Sequence, residues 1–333
     1  MAVSRNKWLI AFTVMLPTLI EIIDTSIVNV SLDHIRGSLS AGIEEATWAI
    51  NAYLVANAIV IPMSGWLSRL FGRKNYQIAS IVLFTASSFL CGSAWSLPSL
   101  IFFRVLQGMA GGGLIPVSQS ILLEAFPPAQ HGVAMAIFGV GAMVGPILGP
   151  ILGGWITDNW SWRWIFYINI PLGVLAVVMN AVVIQDPPWM TRMKMRINYL
   201  GLVFLAVGLG SLQLVLDKGQ QEDWFASRAM STLGVVASIA LVSFVVYELN
   251  VSHPVVNLRV LRLPTFSTGV FLITALGFVL YGSLVLLPVM LETLLGYPSL
   301  QAGIAMAPRG LGTMVAMFVA SRLTTRIDPS TGS

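Results

Sequence analysis

The chain is divided into ten apolar stretches, at roughly 8–31, 46–68, 75–95, 98–121, 131–156, 163–184, 198–216, 229–248, 266–290 and 300–321. A helix needs about 20 apolar residues to cross the hydrocarbon of a bilayer, and each stretch is long enough. The short-range alternation of apolar and polar residues that a membrane barrel requires is not seen. Hydrocarbon offers no partner to an unpaired backbone group, so the helix is the remaining solution. Composition agrees, with 56% of residues hydrophobic and 10% charged, where a soluble domain is about a quarter charged. The sequence therefore predicts an all-α polytopic membrane protein with ten transmembrane helices.

Basic residues suggest its orientation. With the amino terminus in the cytoplasm, Arg5, Lys7, Arg69, Arg73, Lys74, Arg192, Lys194, Arg196, Arg259, Arg262, Arg322 and Arg326 all fall at cytoplasmic ends. Arg36, Arg163, Lys218 and Arg228 fall outside, and Arg104 and Arg309 fall within spans. Such a bias is expected of a bacterial inner-membrane protein, and ten spans return the chain to the cytoplasm. The first span is too long for a signal-peptide core and lacks a small-residue cleavage site, so it reads as a retained helix. The basic excess, a net charge of +4, is spread among short loops, which argues against a nucleic-acid partner.

Cys91 is the single cysteine and the three histidines lie in three separate loops. No disulfide framework or metal site is expected from them, and no cofactor. No nucleophile, base and orienting group come together and no nucleotide-binding loop is present, so the chain does not read as an enzyme.

The longest links, "DPPWMTRMKMRINY" (186–199) and "NVSHPVVNLRVLRLPTF" (250–266), carry prolines that stop helices and bases that fix topology. They bracket what reads as an inserted helix pair. After the second link the order of the first two spans, their outer loop and the basic turn at 68–75 is echoed, as in a transporter made of repeated bundles. The expected division is a first six-helix bundle at 1–185, a linker with inserted pair at 186–265, and two helices of a second bundle at 266–333. The ending "DPSTGS" reads as an interruption.

Two carboxylates lie inside the first span. Glu21 and Asp24 are three residues apart, hence about 60° apart around a helix, with Thr25 and Asn29 on the same side. An ionised carboxylate at this depth costs at least a few kcal/mol, so it should face a cavity, find a cation or hold a proton. Burial and a neighbouring cation act oppositely on a carboxyl group, which is how one is tuned to load and release protons. The candidate cation is Arg104. Entering near Pro98, it lies roughly 9 Å deep, and Asp24 lies roughly 10 Å deep from the same side, at 1.5 Å per residue. The pair either couples protons or is a static tie between the first and fourth spans. Glu21, a turn deeper, either serves substrate cations or lines a wet cavity.

In the fifth span Gly145, Gly149 and Gly153 recur every four residues, leaving one stripe of nearly bare backbone that a neighbouring helix can approach. Pro146 and Pro150 invite a bend. Packing alone, or packing that also slides during transport, fits this stripe. In "GWLSRLFGRKNYQI" (65–78), Gly72 permits a tight turn and Arg73 with Lys74 pins it to the cytoplasmic side, which topology alone explains.

Taken together, these stretches resemble the fourteen-helix drug:proton antiporters of the major facilitator superfamily. "IIDTSIVNVSL" is similar to the aspartate motif of their first helix, and "GWLSRLFGRK", with Gly65, Arg69, Gly72, Arg73 and Lys74, to the superfamily signature loop. "RVLQGMAGGG" is similar to the Arg, Gln and Gly motif of the fourth helix, "GPILGPILGG" to the antiporter motif of the fifth, and "WSWRWIFYINIPLG" to the opening of the sixth. The resemblance implies the superfamily fold with ten of fourteen transmembrane helices present. It implies Asp24 as the proton-linked carboxylate and Arg104 as its partner. Gly145, Gly149, Pro150, Gly153 and Gly154 become the antiporter motif, and Gln107 joins Glu21, Thr25 and Asn29 as a substrate-cavity candidate. It also implies small hydrophobic drugs and protons as ligands, with a periplasmic adaptor protein and an outer-membrane channel as partners. Two positions depart from the pattern: Arg69 stands where the signature has an acid, and Glu21 has no counterpart in the motif.

The function expected is proton-coupled efflux of hydrophobic or amphipathic compounds across the inner membrane. The alternatives are an exporter of one specific metabolite, a uniporter or channel, and a non-transporting fragment that binds an adaptor or partner. With the second bundle incomplete, Glu21, Asp24 and Arg104 are expected to face lipid or a partner, without coupled transport by residues 1–333 alone.

Overall fold

Hydrophobic spans become helices wherever the chain is described. The computed structural model describes residues 6–186, 198–252 and 254–296, together with Gly312 and Ala316. The first nine apolar stretches all fall on helices, whereas the tenth and most of the 186–199 link lie outside the described residues. In chain order the helices are α1 (Lys7–Val30), α2 (Leu32–Ser38), α3 (Ile43–Phe71), α4 (Arg73–Gly92), α5 (Leu97–Gly111) and α6 (Leu114–Ala125). There follow α7 (His131–Asn159), α8 (Trp164–Tyr167), α9 (Asn169–Val183), α10 (Tyr199–Lys218), α11 (Arg228–Asn250) and α12 (Pro264–Val289). No strand occurs among the described residues.

Seven of these segments are long and apolar enough to cross a membrane. Helix α4 falls outside that group; its first turns carry Arg73, Lys74, Asn75 and Gln77, and Ser80, Ser87 and Ser88 follow. Two expected spans are each broken into a pair of helices. The fourth is interrupted at Gly112–Gly113, between α5 and α6, inside a run of three glycines. A Cβ at Gly112 would lie 2.7 Å from the Asn57 carbonyl oxygen on α3, so the break comes with a close backbone approach. The sixth is interrupted at Ile168, between α8 and α9. Pro171 stands in the first turn after that break, where its missing N–H would have continued the helix from Tyr167.

Two units are distinguished along the chain, Met1–Val256 and Asn257–Ser333. In the first, α1 is central, packing against α6, α7 and α9, while α3 packs on α5 and α4 packs on both α5 and α9. Apolar clusters fill this bundle at three levels. Val14, Leu122 and Phe138 lie at one end, Ile20, Tyr53 and Phe84 in the middle, and Ile27, Leu100 and Phe166 at the other end. Helices α10 and α11 form a hairpin laid against α3. It is tied there where Asn51 donates to Asp217 and the Lys218 ammonium sits 5.5 Å from the Trp48 ring. In the second unit α12 follows a short 3-10 turn at Leu258–Arg262 and continues into a π-helical turn at Met290–Leu294. Outward side chains such as Val182, Ile239 and Val242 are exposed and apolar, the surface a bilayer solvates and water does not.

Candidate functional site

Glu21, Asp24 and Arg104, charged side chains that the sequence places in the membrane, lie inside the bundle at 4%, 0% and 1% exposure, and Arg309 lies outside the described residues. The expectation that they would face lipid or a partner is therefore corrected: α1, α3, α4, α5 and α9 enclose them without help from any second bundle. Six-helix packing around α1 is already tight enough to desolvate the pair.

Asp24 accepts from three donors. Arg104 Nη1 lies 2.6 Å from Asp24 Oδ2, while Gln107 Nε2 and Asn169 Nδ2 each lie 2.9 Å from Oδ1. Arg104 and Gln107 are three residues apart on α5, so one helix face presents both, and Arg104 Nη1 also donates to Gln107 Oε1 at 2.8 Å. Across the site Arg104 Nε donates to the Ala49 carbonyl of α3 at 2.8 Å, and its guanidinium carbon stands 4.1 Å from the centre of the Tyr53 ring. A cation out of water is thus held by a carboxylate, a carbonyl, an amide oxygen and an aromatic face. Asn169 carries the network further, donating to Ser88 Oγ of α4 at 3.0 Å, and that hydroxyl donates to the Phe166 carbonyl of α8 at 2.9 Å.

The remaining residues of the α1 stripe diverge. Glu21 Oε1 accepts from Asn57 Nδ2 of α3 at 2.9 Å. Thr25 Oγ1 donates to the Glu21 carbonyl at 2.9 Å, and Asn29 Nδ2, exposed, donates to the Thr25 carbonyl at 3.1 Å. Those two side chains satisfy their own helix. Gln107, assigned to the cavity set from the sequence, is fully buried and bonded to Asp24.

The glycine stripe of α7 lies on α1. A Cβ at Gly145 would collide with Ile22, at Gly149 it would lie 2.5 Å from Ser26 Oγ, and at Gly153 it would lie 2.8 Å from Ile27 Cγ1. The helix that bears Asp24 therefore rests on bare α7 backbone along the turns around that acid. Gly154 has nothing within 4 Å, and Pro150 faces outward.

Gly72, at φ 84° and ψ 145°, joins α3 to α4 in a conformation that L side chains rarely adopt. Arg73 pairs with Glu124 at the end of α6. Lys74 donates through its backbone to Asp186 at 2.9 Å and through its ammonium to the Ala181 carbonyl of α9. Arg69 donates to the Gly65 carbonyl of its own helix. This junction thus ties the start of α4 to the ends of α6 and α9.

Asn169, Asn57, Ser88 and Tyr53 escaped the sequence reading. Each is uncharged, and only packing brings it to a carboxylate or to Arg104. The signal available for Asn169 was a polar amide one residue past a helix break, two before Pro171.

The Major Facilitator Superfamily profile matches residues 14–331. The chain is 38% identical over 313 residues to the multidrug export protein EmrB of Escherichia coli (strain K12), covering 94% of this chain and 61% of that protein. It is 42% identical over 321 residues to the EmrB protein of Haemophilus influenzae, covering 96% and 62%. With the fatty acid resistance protein FarB of Neisseria gonorrhoeae it shares 40% over 314 residues, covering 94% and 62%. The chain thus spans about three-fifths of the length of these relatives. Among solved structures, the proton:xylose symporter XylE superposes with a TM-score of 0.60 at 15% identity, covering 95% of this chain and 68% of that one. At that identity the likeness is one of fold.

Proposed function

Because the chain belongs to the Major Facilitator Superfamily, we propose that it carries the proton-coupling half of an exporter of hydrophobic or amphipathic compounds. On this reading residues 1–185 are the first six-helix bundle, 186–265 the linker with its inserted pair, and 266–333 the beginning of a second bundle. The observation that carries the proposal is the Asp24 site: a membrane-depth carboxylate held by one cation and two amides, all fully buried. Intramembrane ionisable residues mark functional sites by default, and proton relays are among the roles they serve. The relatives' names, multidrug export and fatty acid resistance, support amphipathic substrates.

The mechanism follows from charge. With Asp24 ionised, its attraction for Arg104 and the two amides locks α1 to α5 and α9. A proton arriving from the outer side neutralises Asp24 and weakens that lock, and substrate leaves outward. Reorientation then exposes the acid inward, the proton departs and the lock re-forms. The bare α7 stripe gives α1 a smooth surface for that movement. Glu21 would favour cationic members of the substrate set.

The proposal extends to an inner membrane with the amino terminus in the cytoplasm, and to a periplasmic adaptor with an outer-membrane channel. Proton release tests it: adding a hydrophobic substrate to the purified natural gene product in lightly buffered solution should release protons from wild type and none from Asp24→Asn. Substrate binding with no release from wild type would contradict it.

A further inference from the structure

We infer that Asn169 is the positioning residue that reads whether Asp24 holds a proton and passes that state to α4 and α8. This rests on the reading of Asp24 as the proton carrier. As a carboxylate Asp24 only accepts, and every hydrogen bond it makes is to an N–H donor. With the guanidinium holding Oδ2, an added proton is best placed on Oδ1, both of whose lone pairs already take N–H donors. One of the partners must then turn round and accept.

Arg104 has no acceptor to offer. Gln107 has one, but its Oε1 already takes hydrogen bonds from Arg104 Nη1 at 2.8 Å and from Cys91 Sγ at 3.5 Å. Turning that amide would set its NH2 against the guanidinium. Asn169 is different, because its amide faces only Asp24 Oδ1 and Ser88 Oγ through Nδ2. Rotated by half a turn, it presents Oδ1 to the new Asp24 O–H. Its oxygen then also faces the Ser88 hydroxyl, which both donates and accepts. That hydroxyl can re-aim its hydrogen from the Phe166 carbonyl to Asn169. The event is conservative: one proton is added to Asp24, no covalent bond breaks elsewhere, and two hydrogen bonds are exchanged.

The consequence is mechanical. The Ser88 hydroxyl bridges α4 to Phe166 of α8, at the break that leads into α9. Losing that bridge loosens α8 and α9 from α4 when, and only when, Asp24 is protonated. The charged and titratable groups facing Asp24 are Arg104 from α5, Tyr53 from α3, Cys91 from α4 and Glu21 from α1. Helices α8 and α9 bring no charged group to it, so on their side the charge of Asp24 is read through an uncharged amide.

The test uses the natural gene product in proteoliposomes, with wild type, Asp24→Asn, Asn169→Leu and Ser88→Ala. Infrared difference spectra between acidic and neutral pH, with isotope-labelled asparagine, should show a side-chain amide band in wild type. Asn169→Leu and Asp24→Asn should lack it. Substrate exchange without a pH gradient should stay within about twofold of wild type in Ser88→Ala, while gradient-driven accumulation falls at least about tenfold in Ser88→Ala and in Asn169→Leu. Equal losses of both would mean a merely structural role and overturn the inference. So would an amide band that persists in Asp24→Asn, or full driven accumulation in both relay variants. If Asn169→Leu fails to insert, Ser88→Ala and the wild-type spectrum still decide. Driven accumulation retained in Asp24→Asn would instead overturn the proton-carrier reading itself.

Discussion

Arg104 and Asp24 meet at 2.6 Å with side chains 1% and 0% exposed, 80 residues apart in sequence and on different helices. Removing one member of a buried pair leaves the other uncompensated, at about 3–5 kcal/mol. Arg104→Ala should therefore lower the melting temperature of the detergent-purified protein markedly and abolish driven transport. Arg104→Lys should recover stability in part and transport less, since a single ammonium nitrogen does not span the positions from which Nε reaches the Ala49 carbonyl and Nη1 reaches Asp24 and Gln107. Full transport by the lysine variant would show that the forked geometry is dispensable.

Gly149→Val places a branched side chain where a single Cβ already falls 2.5 Å from Ser26 Oγ. Either α1 or α7 must move. Driven efflux should fall at least about tenfold at near-normal expression, whereas Gly154→Ala, with open space around it, should transport like wild type. Normal efflux by Gly149→Val would remove the α1–α7 contact from the mechanism.

Glu21→Gln keeps an oxygen for the Asn57 amide and removes the charge. Efflux of cationic substrates should drop by roughly tenfold, equivalent to about 1.4 kcal/mol, with neutral substrates little changed. Matching losses in both classes would make Glu21 structural.

Gly72→Ala puts a Cβ on a residue at φ 84°, a strain of about 1–3 kcal/mol. Thermal melting should fall accordingly, while Gly65→Ala, inside α3 with nothing within 4 Å, should be neutral or slightly stabilising. Equal melting of the two variants would contradict the strained junction.

The charges of this site were legible in the sequence because charge inside an apolar span is conspicuous, and equal depth below the membrane surface pairs Asp24 with Arg104. The spacing of the α7 glycines announced a close helix contact, though not that α1 is the helix in contact. Amides are quieter. Asn169 and Asn57 gain meaning only from the carboxylates that packing brings within 2.9 Å, and spacing along the chain carries no trace of that. The breaks at Gly112–Gly113 and Ile168 had signals in the glycine run and Pro171, but a window of membrane length averages over them. The enclosure of Asp24 by one bundle was hidden because burial between helices is a property of their packing.

The central claim, that Asp24 is the group through which a proton gradient drives export, is met most directly by efflux into inverted vesicles carrying the natural gene product or its Asp24→Asn variant. Asparagine keeps the volume, retains an acceptor for one amide and cannot titrate. The account predicts normal membrane insertion, retained substrate binding and no accumulation in response to an imposed pH gradient. Accumulation by Asp24→Asn with the pH response of wild type would contradict it.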